Sequence, residues 1–371
     1  MTDLQSLLLY LVAFFISCFF AFFAQQESLN RYLKYESPKN TFVYFILLIL
    51  SSSIPTIIAG LRYNVGVDYG RYVNGYYQVV NEGIKEHIFD KEIGHMVLIK
   101  MSELIFNDPQ GLFLFSALLT MFFLYLILNY HRYKIPFFLI LILYYSKFYA
   151  VSLNVMRQSI SMVIIVYSLK YIIEKNFKRY LFFVLLASMF HTTALIALPF
   201  YIVFDKGNNI KIYRKILILL AVASIVIFLP QLLSSFSNIQ FFKYDAYATL
   251  KSANLSFSSY LTTIFLILIL IIRRRDLLKY DKRVELYTWL YIYGAIFSLA
   301  SLHFEYAGRI SRYFDILSIL LIPYIVIIIK NKPIKYFVYF LVVVYAISTF
   351  VMANYIYDSH QIIPYRHVFY K

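Results

Sequence analysis

Apolar residues along this chain come in long unbroken runs separated by short basic clusters. Leu4–Ala24 and Thr41–Leu61 carry no charged residue. Each is near the length a helix needs to cross about 30 Å of hydrocarbon. In lipid every backbone amide and carbonyl must be paired internally, so such runs are helices. The pattern predicts ten spans, at 4–24, 41–61, 111–129, 135–150, 157–174, 213–230, 259–272, 285–302, 310–329 and 336–354. The expected fold class is all-α: a polytopic membrane protein with about ten transmembrane helices, residues 1–371 forming a single integral membrane domain. No basic flank or cleavage site marks the first run, which is read as an uncleaved first helix.

Charges assign the sides. Basic clusters follow the first, third, fifth and ninth runs, precede the sixth, and are densest between Arg273 and Arg283. All of them can be cytoplasmic together, with both termini outside. Tyr180–Phe204 is apolar but has basic clusters on both flanks, so it is predicted to enter and return as a re-entrant hairpin. Its tip falls at Phe190-His191-Thr192-Thr193, and Pro199 bends the returning half. Residues 62–110 form an extracytoplasmic loop. Within it, Val80–Phe106 mixes Glu82, Lys85, Glu86, Lys91 and Glu92 with Ile84, Ile88, Met96, Leu98 and Ile99, a pattern of amphipathic helices on the outer surface. No internal repeat is visible, so the inverted-repeat signature of many transporters is missing.

Composition sharpens this picture in two places. Only 15% of residues are charged against 61% hydrophobic, where a soluble domain carries roughly 25% charged. The net charge of +16 is explained by basic cytoplasmic loops and calls for no nucleic acid. The single cysteine, Cys18, excludes an intrachain disulfide and a cysteine-based zinc site.

The polar residues that loop solvation does not explain fall on one side. Arg62, Asp68 and Arg71 follow the second span, where Gly66 and Gly70 permit tight turns. The arginines there suit either a phosphate or a structural pair with Asp68. Asn154, Arg157, Gln158 and Ser161 recur at helical spacings of three and four. Small and polar residues also serve helix packing. Arg157, however, is a cation whose own helix offers no anion, which favours an anionic ligand. Arg309, Arg312 and Asp315 repeat every three residues on another helix face. His191 sits at the predicted hairpin tip. No His-x-x-x-His or Asp-x-Asp spacing offers a metal site.

These pieces together resemble the EpsG family, the Wzy-type polymerases of bacterial surface polysaccharides. The matching segments are Arg62-Tyr-Asn-Val-Gly-Val-Asp68-Tyr69, Glu92-Ile-Gly94, Asn154-Val-Met-Arg157-Gln158, His191-Thr-Thr-Ala-Leu195, Arg309-Ile-Ser-Arg312-Tyr-Phe314 and Ile363-Pro-Tyr365, in the family's order. The family usually has Pro-Ser after the histidine, where this chain has Thr192-Thr193. The resemblance implies an enzyme of the bacterial cytoplasmic membrane with an outward-facing site. It would join oligosaccharide repeat units carried on undecaprenyl diphosphate into a capsule, exopolysaccharide or O-antigen. Donor and acceptor glycan lipids would be its partners, alongside membrane lipids, a flippase and a chain-length regulator. No cofactor is implied.

A lipid diphosphate leaving group suits guanidinium recognition. Arg62, Arg157, Gln158, Arg309, Arg312 and Tyr69 are the candidates for binding it and the glycan. A base must take the attacking hydroxyl's proton, and Asp68, Glu92 and His191 are open candidates. A flippase or other transporter would spread polar residues through the bilayer depth. A membrane acyltransferase would need an acyl-donor route from the cytoplasm, where the loops show only short basic runs.

Overall fold

The computed structural model describes residues 1–34, 41–83, 85–87, 92–204, 257–302 and 305–370. Among them the chain is helical, and the only β feature is a single bridge between Arg62 and His367. Seven helices are long and apolar enough to cross a membrane: Asp3–Leu29, Phe42–Leu61, Gln110–His131, Phe137–Asn154, Met156–Ile173, Ala307–Ile327 and Lys332–Ile356. They coincide with seven of the predicted spans. The span expected at 259–272 is a shorter apolar helix, and that at 285–302 is the helix Arg283–Ala300. The span expected at 213–230 and the basic cluster that precedes it lie outside the described residues. The protein is a polytopic helical membrane protein.

The helices group into two units. The first comprises residues 1–167, 185–192 and 329–371, and the second residues 168–184 and 193–328. In the first unit α1 (Asp3–Lys34) and α2 (Thr41–Leu61) pack against α5 (Gln110–His131) and α6 (Phe137–Tyr144). Large apolar side chains cover their outer faces, among them Phe15, Phe42 and Phe122. Between the helices, polar groups pair with one another. Ser17 donates to the Ser51 carbonyl at 2.6 Å and meets the Tyr145 hydroxyl at 2.6 Å. Ser51 in turn bonds the Ser17 carbonyl and the Tyr125 hydroxyl. Such hydrogen bonds join helices where the surroundings offer no water.

At the far end from the candidate site, Gln25 closes the α5–α6 turn. Its amide donates to the Arg132 and Ile135 carbonyls and its oxygen accepts from the Phe137 amide. A π-helical turn, Tyr145–Tyr149, joins α6 to α7 (Ala150–Asn154). The chain then reverses at Val155 into α8 (Met156–Ile173), where Tyr167 packs back against Phe123 of α5. This corrects the expected polar stripe. Asn154 ends one span and Arg157 opens the next, so the two do not share a helix face.

Residues 62–110, expected to lie outside the membrane, contain α3 (Tyr69–Glu82) and α4 (Ile93–Phe106). α3 buries Tyr69, Tyr72, Tyr76 and Val79, spaced three and four apart. α4 buries Met96, Leu98 and Ile99 as its pattern predicts, together with His95 and Ser102.

The predicted hairpin folds back on itself. α9 (Phe177–Phe190) ends at His191, a 3-10 stretch covers Thr192–Ala197, and α10 (Leu198–Phe204) returns. The Tyr180 hydroxyl donates to the Ala197 carbonyl at 2.5 Å, and the Phe177 and Tyr201 rings lie 5.0 Å apart. The second unit continues through α11 (Phe257–Ile272), α12 (Arg274–Tyr280), α13 (Arg283–Ala300), α14 (Glu305–Asp315) and α15 (Ser318–Ile327), and α16 (Lys332–Val351) belongs to the first. Gly294 lets α13 and α14 approach until a side chain there would collide with Phe314, whose ring stacks on Phe297.

Candidate functional site

The ends of several helices meet at one end of the first unit, and the chain's C-terminal strap is laced through them. The Tyr365 amide donates to Ser6 at 2.8 Å and its hydroxyl to the Ile58 carbonyl at 2.9 Å. The Tyr10 hydroxyl donates to the Ile362 carbonyl, the Tyr63 amide to the Arg366 carbonyl and the Gly66 amide to the Gln361 carbonyl. Asn154 bonds the His360 carbonyl at 3.0 Å and lies against the Asp68 amide at 3.4 Å. Gly66 has φ 99°, and a Cβ there would come within 2.7 Å of the Asn154 side-chain oxygen. The turn therefore needs glycine for both its conformation and its space.

Arg62 lies beneath this strap and is 1% exposed. Its NH1 donates to the Val65 carbonyl at 3.2 Å, and NH2 lies 3.3 Å from the Met156 sulfur. The guanidinium sits 4.7 Å from the centre of the Phe113 ring. Burial pushes its pKa down to about 10, and the surrounding tyrosines partly oppose that shift. Such a sealed cation stabilises the turn and strap by packing and cation–π attraction. Tyr69 is also buried, with its ring stacked on Phe113 at 4.7 Å. Asp68 precedes α3 and pairs with Arg71 at 3.5 Å, with the Arg71 side chain 81% exposed. An exposed pair of this kind contributes little to stability.

Three of the expected site residues converge. Arg157, in the first turn of α8, bonds one carboxylate oxygen of Glu92 through NH1. The other oxygen lies 3.1 Å from His191 Nδ1. The side chains of Glu92 and His191 are each 15% exposed and that of Arg157 is 34% exposed. Burial would raise the Glu92 pKa, but the His191 hydrogen bond and the Arg157 charge more than offset it and hold the carboxyl down to about 2. His191 Nε2 is buried with no hydrogen-bond partner among the described residues.

The helix of Arg157 offers no anion, yet the residue is paired, because Glu92 arrives from a segment 65 positions away in sequence. Glu92 reaches it because α4 begins against the end of α9. A Cβ on Gly94 would stand 2.9 Å from the Met189 carbonyl oxygen and 3.0 Å from the Phe190 ring.

One contributor was not foreseen. The Tyr72 hydroxyl faces Arg157 and accepts from the Met156 amide at 3.1 Å, fixing the first turn of α8. Its signal was the tyrosine spacing of α3. Asn154 acts through the strap rather than through a polar stripe. Gln158 is buried one residue beyond Arg157. Arg309 and Arg312 lie on α14 in the second unit. Among the described residues no group of three or more His, Cys, Asp or Glu side chains is arranged to hold a metal ion.

The chain is a polytopic helical membrane protein that carries a half-buried Arg–Glu–His cluster within its first unit. The model of the EpsG family matches residues 42–367, and the chain belongs to that family, whose members are Wzy-type polymerases. No curated protein and no solved structure matches the chain.

Proposed function

We propose that the protein is a glycosyltransferase that joins lipid-diphosphate-linked oligosaccharide units into a surface polysaccharide, on the outer side of the bacterial cytoplasmic membrane. The growing glycan leaves its undecaprenyl diphosphate and is transferred to a hydroxyl on the next unit. Family membership supports the polymerase class. The single observation that carries the chemistry is the cluster of Arg157, Glu92 and His191. It combines a cation suited to phosphate oxygens with a carboxylate–imidazole pair suited to proton transfer.

Arg157 has five guanidinium donors, and Glu92 engages NH1. The donors that Glu92 and Tyr72 do not engage suit a diphosphate whose charge grows as the sugar departs. Arg309 and Arg312 are further candidates for that role. Arg62 belongs to this reading only as the residue that holds the turn, since it is sealed from solvent. The basic clusters support an outward site, because they assign the opposite end of the spans to the cytoplasm.

The test is the glycan ladder of cells lacking the protein. Lipid-linked single units should remain on the outer leaflet while long polymer disappears. Single units trapped on the cytoplasmic face would point to a flippase, and long polymer of normal length in the absence of any second copy would rule the polymerase out.

A further inference from the structure

We propose that Nε2 of His191 is the proton acceptor of the transfer and that Glu92 is its positioning residue, an assignment that rests on the polymerase reading. Geometry separates the three open candidates. Both oxygens of Glu92 are engaged, one by Arg157 and one by His191. An ionised carboxylate only accepts hydrogen bonds, so the proton on the imidazole lies at Nδ1, against Glu92. A neutral ring with its proton at Nδ1 presents its lone pair at Nε2. That atom has no hydrogen-bond partner among the described residues and is closed to solvent. Glu92, held down to about 2, has little affinity for a proton at neutral pH. Asp68 is engaged instead with the exposed Arg71.

In the step itself, the acceptor sugar's hydroxyl oxygen attacks the anomeric carbon of the donor glycan. Its proton passes to Nε2 as the new carbon–oxygen bond forms. The bond from the anomeric carbon to the diphosphate breaks, and its electron pair leaves with the lipid diphosphate. His191 then returns the proton to the departing diphosphate or to solvent, and nothing is oxidised or reduced. Nε2 is closed to solvent, which keeps water from the base and favours transfer over hydrolysis.

The experiment uses the full chain in lipid nanodiscs with a synthetic lipid-diphosphate-linked repeat unit as donor and acceptor. His191→Ala should lower kcat by about 10²- to 10⁴-fold with KM little changed, and added imidazole should restore part of the rate. His191→Gln keeps a side chain that can bond Glu92 and should show the same loss, which separates base chemistry from folding. Glu92→Gln should lower kcat by about 10- to 10³-fold, and the double variant His191→Ala/Glu92→Gln should be no slower than His191→Ala alone, because the two act as one unit. A His191→Gln enzyme within about tenfold of wild type, or losses that multiply in the double variant, would overturn the assignment and leave the polymerase reading standing. Failure of the wild-type protein to couple any units would bring down both.

Discussion

Gly94 stands so close to Phe190 that the two helices they belong to meet without an intervening side chain: a Cβ at 94 would lie 3.0 Å from the ring. This contact fixes the start of α4 against the end of α9, and Glu92 and His191 sit at those two ends. Gly94→Ala adds one methyl group where the backbone carbonyl of Met189 is also within 2.9 Å. Overpacking of this kind costs about 1–3 kcal/mol. The variant should remain in the membrane with a lowered thermal midpoint and shortened polymer, because a small displacement separates the carboxylate from the imidazole. Unchanged polymer length in a well-accumulated Gly94→Ala variant would show that the helix contact does not set the site.

Arg157 is the cation that touches Glu92, and its geometry rather than its charge alone is at issue. Lysine keeps the charge but has no planar fork with which to hold a carboxylate and meet a phosphate at once. Arg157→Lys should therefore cut polymerisation severely, by at least about tenfold, while the protein still accumulates, read as glycan chain length against membrane protein level. A purely structural ion pair predicts the reverse, with lysine tolerated wherever the protein is stable.

Much of this arrangement was legible in the sequence. The length and charge of the apolar runs gave seven of the spans directly, since lipid leaves a helix no alternative way to satisfy its backbone. The basic flanks of Tyr180–Phe204 gave the fold-back at His191, now seen in the bond from Tyr180 to Ala197. The Arg157–Glu92 pair was not legible, because nothing in the spacing of residues 92 and 157 reveals that Gly94 packs on Phe190. Nor was the burial of Arg62. An arginine after a span resembles an interfacial anchor, and only the return of the strap Gln361–His367 over the turn seals it. Long-range closure by a C-terminal segment leaves no periodic trace.

That closure makes Arg62 and Arg71 behave differently despite their nearness in sequence. Arg62→Ala removes a fully buried side chain from beneath the strap, with its contacts to Val65, Met156 and Phe113. Losing the hydrogen bonds of a buried charged group costs about 1.5–3 kcal/mol. Arg71→Ala removes only an exposed partner of Asp68 and should cost at most about 1 kcal/mol. Thermal unfolding in detergent should show a large drop for Arg62→Ala and almost none for Arg71→Ala. Equal effects would mean that the strap does not depend on the buried cation.

The pH dependence of stability offers an independent check on Glu92. Its carboxyl has an ordinary value of 4.5 and is held down to about 2 in the folded protein. A group whose folded pKa is depressed binds fewer protons folded than unfolded. It therefore stabilises the fold above the unfolded value and loses that contribution as pH falls toward the folded one. Glu92→Gln has no carboxyl to titrate. The thermal midpoint of the wild type should exceed that of Glu92→Gln by a constant margin at neutral pH, and the margin should narrow only as pH falls from 4.5 toward 2. The same sign means that Glu92 stays ionised throughout the neutral range, so an inflection in polymerase activity between about pH 5 and 8 cannot be its titration. A margin already collapsing between about pH 7 and 6 would show that the carboxylate is not held by Arg157 and His191 as the geometry requires.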